Sequence, residues 1–298
     1  MKLGVVILPD QTWNENQRRW RAAEDLGFHS AWTYDHIWWR TLRDEAWYSA
    51  VPVLTAAAMS TSTLPIGLMV ASPNFRHPVL LAKDALALAD ISGGRFVLGL
   101  GSGARRAGDA EVLGGQPLSA GQRSERFREF VELTRAIIDE PVVSYEGAYF
   151  SASEARRCLA ATHDGSVPIA VAASGPSGLG LAVRHGDAWI SAGPANWLGD
   201  YTTDQCLDIV GQQVEDLRRA CEDLDRDFDA MERIFIATPL AGDPLASPGH
   251  CTDLLERCSK AGMTHVVIHW PRRAGVYAGD EAVLELIATE VLPHVDDL

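Results

Sequence analysis

The sequence predicts an α/β fold: one (β/α)8 barrel of the TIM type, a single domain over residues 1–298 with an insertion between the fourth and fifth strands. Three observations carry that expectation. Eight short apolar runs recur: Leu3 to Leu8, Ser30 to Tyr34, Ile66 to Ala71, Phe96 to Leu100, Val167 to Ala172, Ala188 to Ser191, Ile234 to Thr238 and His265 to His269. They are near-continuous in apolar character, as parallel strands are when both faces are covered, whereas one-sided strands alternate. Helical patterns lie between them, and strands alternating with helices imply right-handed crossovers, pointing to a barrel ahead of an open doubly wound sheet.

The elements follow in order. After the third run Pro78 sits where a first helical turn tolerates proline. The interval Ala104 to Val167 is too long for one helix; it holds a loop, a helix near Arg123 to Asp139, and the stretch Tyr145 to Ser151. Within that stretch, Tyr145 to Phe150 resembles a small hairpin turning at Glu146 and Gly147, able to roof the barrel mouth. A helix carrying Leu179, Leu181 and Val183 follows the fifth run. Leu207, Val210, Val214, Leu217, Cys221 and Leu224 repeat at three and four residues, and Val283, Leu284, Ile287, Ala288, Val291, Leu292 and Val295 form a second such pattern. Repeats, low-complexity tracts and linkers are not evident.

Composition restricts the partners. Forty acidic against 26 basic side chains give a formal net charge of -14, which repels nucleic acid and anionic lipid, so neither is expected as a partner. An anionic ligand must then be held locally, by backbone N–H groups, a helix amino terminus or a few converging arginines. Met1 to Leu8 enter a strand-like run without the features of a secretory signal, and no run approaches the roughly 20 apolar residues of a membrane span. The five cysteines are odd in number and scattered, reading as buried reduced thiols in a cytoplasmic chain; no metal site is expected.

Active sites of such barrels lie at the carboxyl ends of the strands. The second run ends in Tyr34-Asp35-His36-Ile37-Trp38-Trp39, where His36 can transfer protons near neutral pH and Asp35 can orient it or bond a cofactor. The two tryptophans can flank a planar ring or simply cover the core. The third runs into Ser72-Pro73-Asn74-Phe75-Arg76-His77, whose Ser72 and Asn74 can bond a heterocycle or build a plain turn. Gly99, Gly101 and Gly103 would let backbone approach a ligand, but their spacing is not the dinucleotide fingerprint. Ser174-Gly175-Pro176-Ser177-Gly178 opens a helix with free N–H groups, an anion cradle or an ordinary Gly-Pro turn with a Ser cap. After the eighth run, Arg272 and Arg273 either meet an acidic group or lie in solvent.

Taken together, Leu3 to Asp10, Ala23 to Phe28, Trp32 to His36, Arg76-His77-Pro78, Ser92 to Gly103, and Ala172 to Gly178 with Gly186-Asp187 resemble the luciferase-like monooxygenase superfamily, in collinear order over nearly the whole chain. The resemblance is nearest to the branch using coenzyme F420, a deazaflavin. It implies a small-molecule oxidoreductase with cofactor contacts at Asp35, Val70, Ser72, Ala107, Ser174, Gly175, Ser177 and Gly178, and a catalytic acid or base at His36. It also implies a non-proline cis peptide near Met69 and Val70, and a homodimer packed through helices near the second and third strands. One departure stands out: sugar-phosphate-oxidising relatives place a glutamate after the glycine-rich turn, where this chain has Ala104. Asp109 or Glu111 can substitute only if the inserted loop folds inward.

Hydride transfer between the deazaflavin and a small organic substrate is therefore the leading expectation, with the protein supplying orientation and proton management. The alternatives are an FMN-dependent monooxygenase on the same scaffold, and a non-catalytic flavin-binding relative.

Overall fold

The computed structural model describes residues 1–103, 108–158, 167–196, 199–239 and 242–298. In chain order its elements begin β1 (Lys2–Val6), α1 (Trp13–Asp25), β2 (Ser30–Thr33), α2 (Ala50–Ser60), β3 (Ile66–Ala71), α3 (Pro78–Ser92) and β4 (Phe96–Gly101). Then come α4 (Asp109–Val112), α5 (Ala120–Asp139), β5 (Val142–Glu146), β6 (Ser151–Arg156), β7 (Ile169–Ala172), α6 (Pro176–His185) and β8 (Ala188–Ser191). The chain closes with α7 (Thr203–Asp223), β9 (Glu232–Ile236), α8 (Pro248–Lys260), β10 (His265–His269) and α9 (Glu281–Glu290).

Each of the eight apolar runs supplies one strand of a closed parallel barrel, ordered β1-β10-β9-β8-β7-β4-β3-β2. The register sets which residues share a rim: Val6 pairs with His269 on one side and with Trp32 on the other, so β10, β1 and β2 end side by side. Inward-facing Val6, Trp32, Met69, Ile190, Ile234 and Val267 fill the barrel. Outward-facing Leu3, Val5, Leu68, Leu98 and Ile169 pack beneath the helices in a second, larger apolar layer. That double burial is why the runs lack alternation. Gly67 on β3 is required by the packing inside, since a Cβ there would lie 2.1 Å from the Trp32 indole.

Helix ends follow local chemistry. α5 and α7 open with reciprocal capping boxes, Ser119 with Gln122 and Thr202 with Gln205. α3 starts at Pro78 and closes on Gly93 in the left-handed conformation, φ 65°. The apolar period that reaches Val295 is not one helix: α9 stops at Glu290 and a 3-10 turn covers Leu292–Asp297. Pro293 has no N–H for the continuing helical bond and restricts the residue before it, which accounts for the change. Among the described residues, no helix is long and apolar enough to cross a membrane.

The stretch around Tyr145 differs from expectation. β5 and β6 do form an antiparallel hairpin, but the turn spans Gly147 to Phe150, closed by the Gly147 N–H donating to the Phe150 carbonyl at 2.9 Å. The buried Glu129 carboxylate on α5 accepts from the Ala148, Tyr149 and Phe150 amides, fixing the tip. Phe150 packs against Phe130 of α5 and His77 at the start of α3. The hairpin therefore packs against α5 and the start of α3.

Candidate functional site

Four strand-to-helix junctions converge on one half of the barrel rim, the half formed by β2, β3, β4 and β7. At the first, Asp35 is buried and both its oxygens accept from Arg76 of the next junction, Nε at 2.9 Å and Nη2 at 2.7 Å. Burial pushes the Asp35 carboxyl upward against the pull of Arg76. The fork therefore ties the loop after β2 to the loop after β3.

β3 carries the irregularity expected of it. The Met69–Val70 peptide is cis, and the β3–β4 register shifts between Leu68 and Ala71. Val70 fits against the glycines of β4: a Cβ on Gly101 would come within 2.5 Å of a Val70 methyl. Just beyond, the Ser72 hydroxyl is buried without a hydrogen-bond partner. An orphaned buried hydroxyl carries a desolvation cost of about 1–3 kcal/mol unless a ligand or water meets it.

Gly103 follows β4 with φ 74°, and a side chain there would strike the Asn74 amide at 2.4 Å. Two arginines from α5 reach the same place: Arg126 Nη2 donates to Asn74 Oδ1 at 2.5 Å, and Arg123 Nη1 to the Gly103 carbonyl at 3.3 Å. The Nε of each has no partner, and among the described residues neither arginine pairs with a carboxylate. Ser124, between them in sequence, has its hydroxyl 3.3 Å from that of Ser177. This brings α5 onto the amino terminus of α6, where Gly175 is the cap residue with no side-chain capping bond and Pro176 follows. Space is open around Gly175: an added Cβ would meet nothing within 4 Å. Ser174 is exposed beside it, and a Cβ on Gly178 would press on Ala173 at 2.8 Å. The start of α6 thus offers free N–H groups and the Ser174 and Ser177 hydroxyls, an arrangement able to hold an anion on a chain of net charge -14, while Arg123 and Arg126 anchor α5 to the neighbouring Gly103 and Asn74. Nothing in the sequence marks these two arginines, which lie within a helix and not at a strand end.

His36 is held differently. Its Nδ1 lies 2.7 Å from Asp109 Oδ2, while Asp109 Oδ1 accepts from the Ile37 amide at 2.8 Å. Asp109 is fully buried, so the start of α4 turns inward, and the condition under which Asp109 can stand in for the absent glutamate is met. With the carboxylate as acceptor, Nδ1 carries the hydrogen, and in the neutral ring Nε2 is then the nitrogen with the lone pair. Ala104 and Ala107 lie outside the described residues.

The tryptophans do not flank a ring site beside Asp35. Trp39 is buried against Tyr34 and Tyr277, and Trp38 covers Gly108. Arg272 does not face a ligand either: it is buried and paired with Asp10 at 2.7 Å and with Glu45. A second cluster went unremarked in the sequence, although strand-end position would have flagged it. The Tyr34 hydroxyl lies 2.7 Å from His269 Nε2, and Tyr277 stacks on His269 with ring centroids 3.5 Å apart. Burial pushes His269 down to about 3 and both tyrosines up, so all three rings are neutral at physiological pH.

Known proteins bear on this geometry. The luciferase-like monooxygenase family model matches residues 1–244. The chain is 31% identical to an F420-dependent glucose-6-phosphate dehydrogenase of Beutenbergia cavernae, covering 92% of this chain and 90% of that one. It is 30% identical to a 5,10-methylenetetrahydromethanopterin reductase of Archaeoglobus fulgidus, covering 82% and 71%. Among solved structures, an F420-dependent secondary alcohol dehydrogenase in complex with an F420–acetone adduct superposes with a TM-score of 0.80 at 19% identity, over 99% of this chain and 98% of that one. A barrel with this order of strands, a bulged third strand and a match over four-fifths of its length leaves one assignment: the chain belongs to the luciferase-like monooxygenase family.

Proposed function

We propose that the protein is an F420-dependent oxidoreductase that transfers a hydride between the deazaflavin and a small organic substrate, with His36 as proton donor or acceptor. Relatives matched over nine-tenths or more of both chains include F420-dependent glucose-6-phosphate dehydrogenases. The observation that carries the site assignment is the convergence of an orphaned buried hydroxyl, Ser72, with an anion cradle at Gly175 on one half of the rim. A ring with a phosphate-bearing tail has that shape and charge.

In this reading Val70, Ser72 and the Asp35–Arg76 fork hold the ring. Ser174, Gly175, Ser177 and Gly178 hold the phosphate through hydroxyls and free amides, aided by Arg123 and Arg126. Ala107 completes the contacts the family resemblance implies. When bound, the deazaflavin supplies a carbon that accepts or gives a hydride. Oxidation of a substrate removes a hydride from carbon and a proton from the attached heteroatom; His36 Nε2 takes that proton, and in the reverse direction returns it. Asp109 keeps the imidazole in the tautomer that can do so and stabilises its charged form. The same reading makes the protein a cytoplasmic homodimer. Its five cysteines are free thiols, four of them buried as expected and Cys158 exposed, and α2 and α3 present Met59, Leu80 and Ile91 to solvent.

Titrating purified apoprotein with F420 and with FMN tests the cofactor. Saturable F420 binding tighter than FMN binding is expected; tight FMN binding with none for F420 would refute the assignment.

A further inference from the structure

The cofactor reading occupies only half of the rim, β2, β3, β4 and β7. Across from it, above the ends of β9 and β10, lies a cavity of about 550 Å³, within the size range of small-molecule sites. Its walls come from the loops after those strands: Pro239, Pro244 and Leu245 on one side, Val276 and Tyr277 on the other, with His269 as the floor. The floor connects it to the chemistry. His269 is bonded to Tyr34, and the Tyr34 ring meets the His36 ring edge-on at 6.2 Å, so the cavity and His36 share one rim.

The wall chemistry is one-sided. Asp243 is the one charged side chain among the described lining residues, and none of those residues is a lysine or arginine. His269 and Tyr277 add no charge, since burial holds His269 at about 3 and raises Tyr277. Arg272, just behind Tyr277, is already committed to Asp10 and Glu45. Its guanidinium donates to the Ala274 carbonyl and its amide to the Tyr277 carbonyl, which holds the loop carrying Val276 and Tyr277 in place.

We infer that this cavity is the substrate pocket and that it takes an uncharged, predominantly hydrocarbon substrate, not a sugar phosphate or carboxylate. An anion placed there would lose its hydration with no cation among the described lining residues to replace it, since Arg40 lies over the Trp39 ring and outside that lining, and it would face Asp243. An apolar body would gain by burial against Leu245, Val276 and the prolines. The inference rests on the hydride-transfer reading above, because that reading places the cofactor on the opposite half of the rim.

Its test separates the two. Protein loaded with F420, with occupancy read first from the cofactor's own spectrum, is titrated with 2-decalone and separately with glucose 6-phosphate, and ligand binding is followed by saturation-transfer NMR. Decalone should bind and glucose 6-phosphate should not. Val276→Trp, which fills the cavity from a surface loop, should weaken decalone about tenfold or more while F420 affinity stays unchanged. Asp243→Asn, which keeps the Oδ1 acceptor for the Leu245 amide, should lower the discrimination against glucose 6-phosphate. Failure to bind F420 removes the reading and the inference together. F420 binding with glucose 6-phosphate preferred over decalone, or decalone binding insensitive to both substitutions, overturns the inference alone.

Discussion

His36 and Asp109 stand 73 positions apart in sequence and 2.7 Å apart in space. The pairing decides what His36 can do: a buried carboxylate on Nδ1 fixes the tautomer and leaves Nε2 as the nitrogen available for proton transfer. His36→Ala is expected to lower kcat by about 10²-fold or more with F420 affinity unchanged, and unchanged turnover would retire the assignment. Asp109→Asn should lower kcat by less, on the order of tenfold, and displace the pH profile of kcat, which a packing defect alone would leave in place. Of this pair the sequence singles out His36 directly, because strand-end position is legible as a run of apolar residues meeting polar ones. Asp109 is legible only as one of two candidates with Glu111, since no spacing encodes which way the start of α4 turns. Arg123 and Arg126 were hidden for a related reason: they belong to a helix, and only its tertiary packing brings them to Gly103 and Asn74 at the rim.

At the scale of elements, what lies between the strands is fixed by polar contacts that cross from one unit to the next. Glu24, in the last turn of α1, accepts from the amides of Ser62, Thr63 and Leu64, which lead into β3. Partial burial raises its pKa, but those amide donors outweigh it and bring the carboxyl down to about 2. Because the folded value lies below the unfolded one, this stabilisation is present above pH ~4.5 and fades as the pH falls toward 2. Glu24→Gln should therefore cost about 1 kcal/mol of unfolding free energy at pH 7, with the gap to wild type closing on acidification; a pH-independent gap would contradict this role. Such contacts also explain where element boundaries were misread. Gly147 looks like a turn centre, yet Glu129, from a distant helix, collects the amides at 148–150 and moves the turn forward. Pro293, by contrast, was a visible stop inside an apolar period that pattern alone extends too far.

For the whole molecule, the barrel was legible because its eight strands are buried on both faces, and double burial writes itself into the chain as unbroken apolar runs. Assembly is written far less clearly. If α2 and α3 form a homodimer face, Leu80→Glu should convert the protein to a monomer by sedimentation velocity, without loss of secondary structure; an unaltered sedimentation coefficient would point to another face. The division of the rim into a cofactor half and a substrate half is the central claim, and amide hydrogen exchange with and without F420 tests it most directly. Protection on adding F420 is expected at Ser72, at 101–103 and at the first amides of α6, Ser177 to Leu179, with little change at 242–245 and 275–278. Protection confined to the β9 and β10 loops, with α6 unaffected, would contradict it.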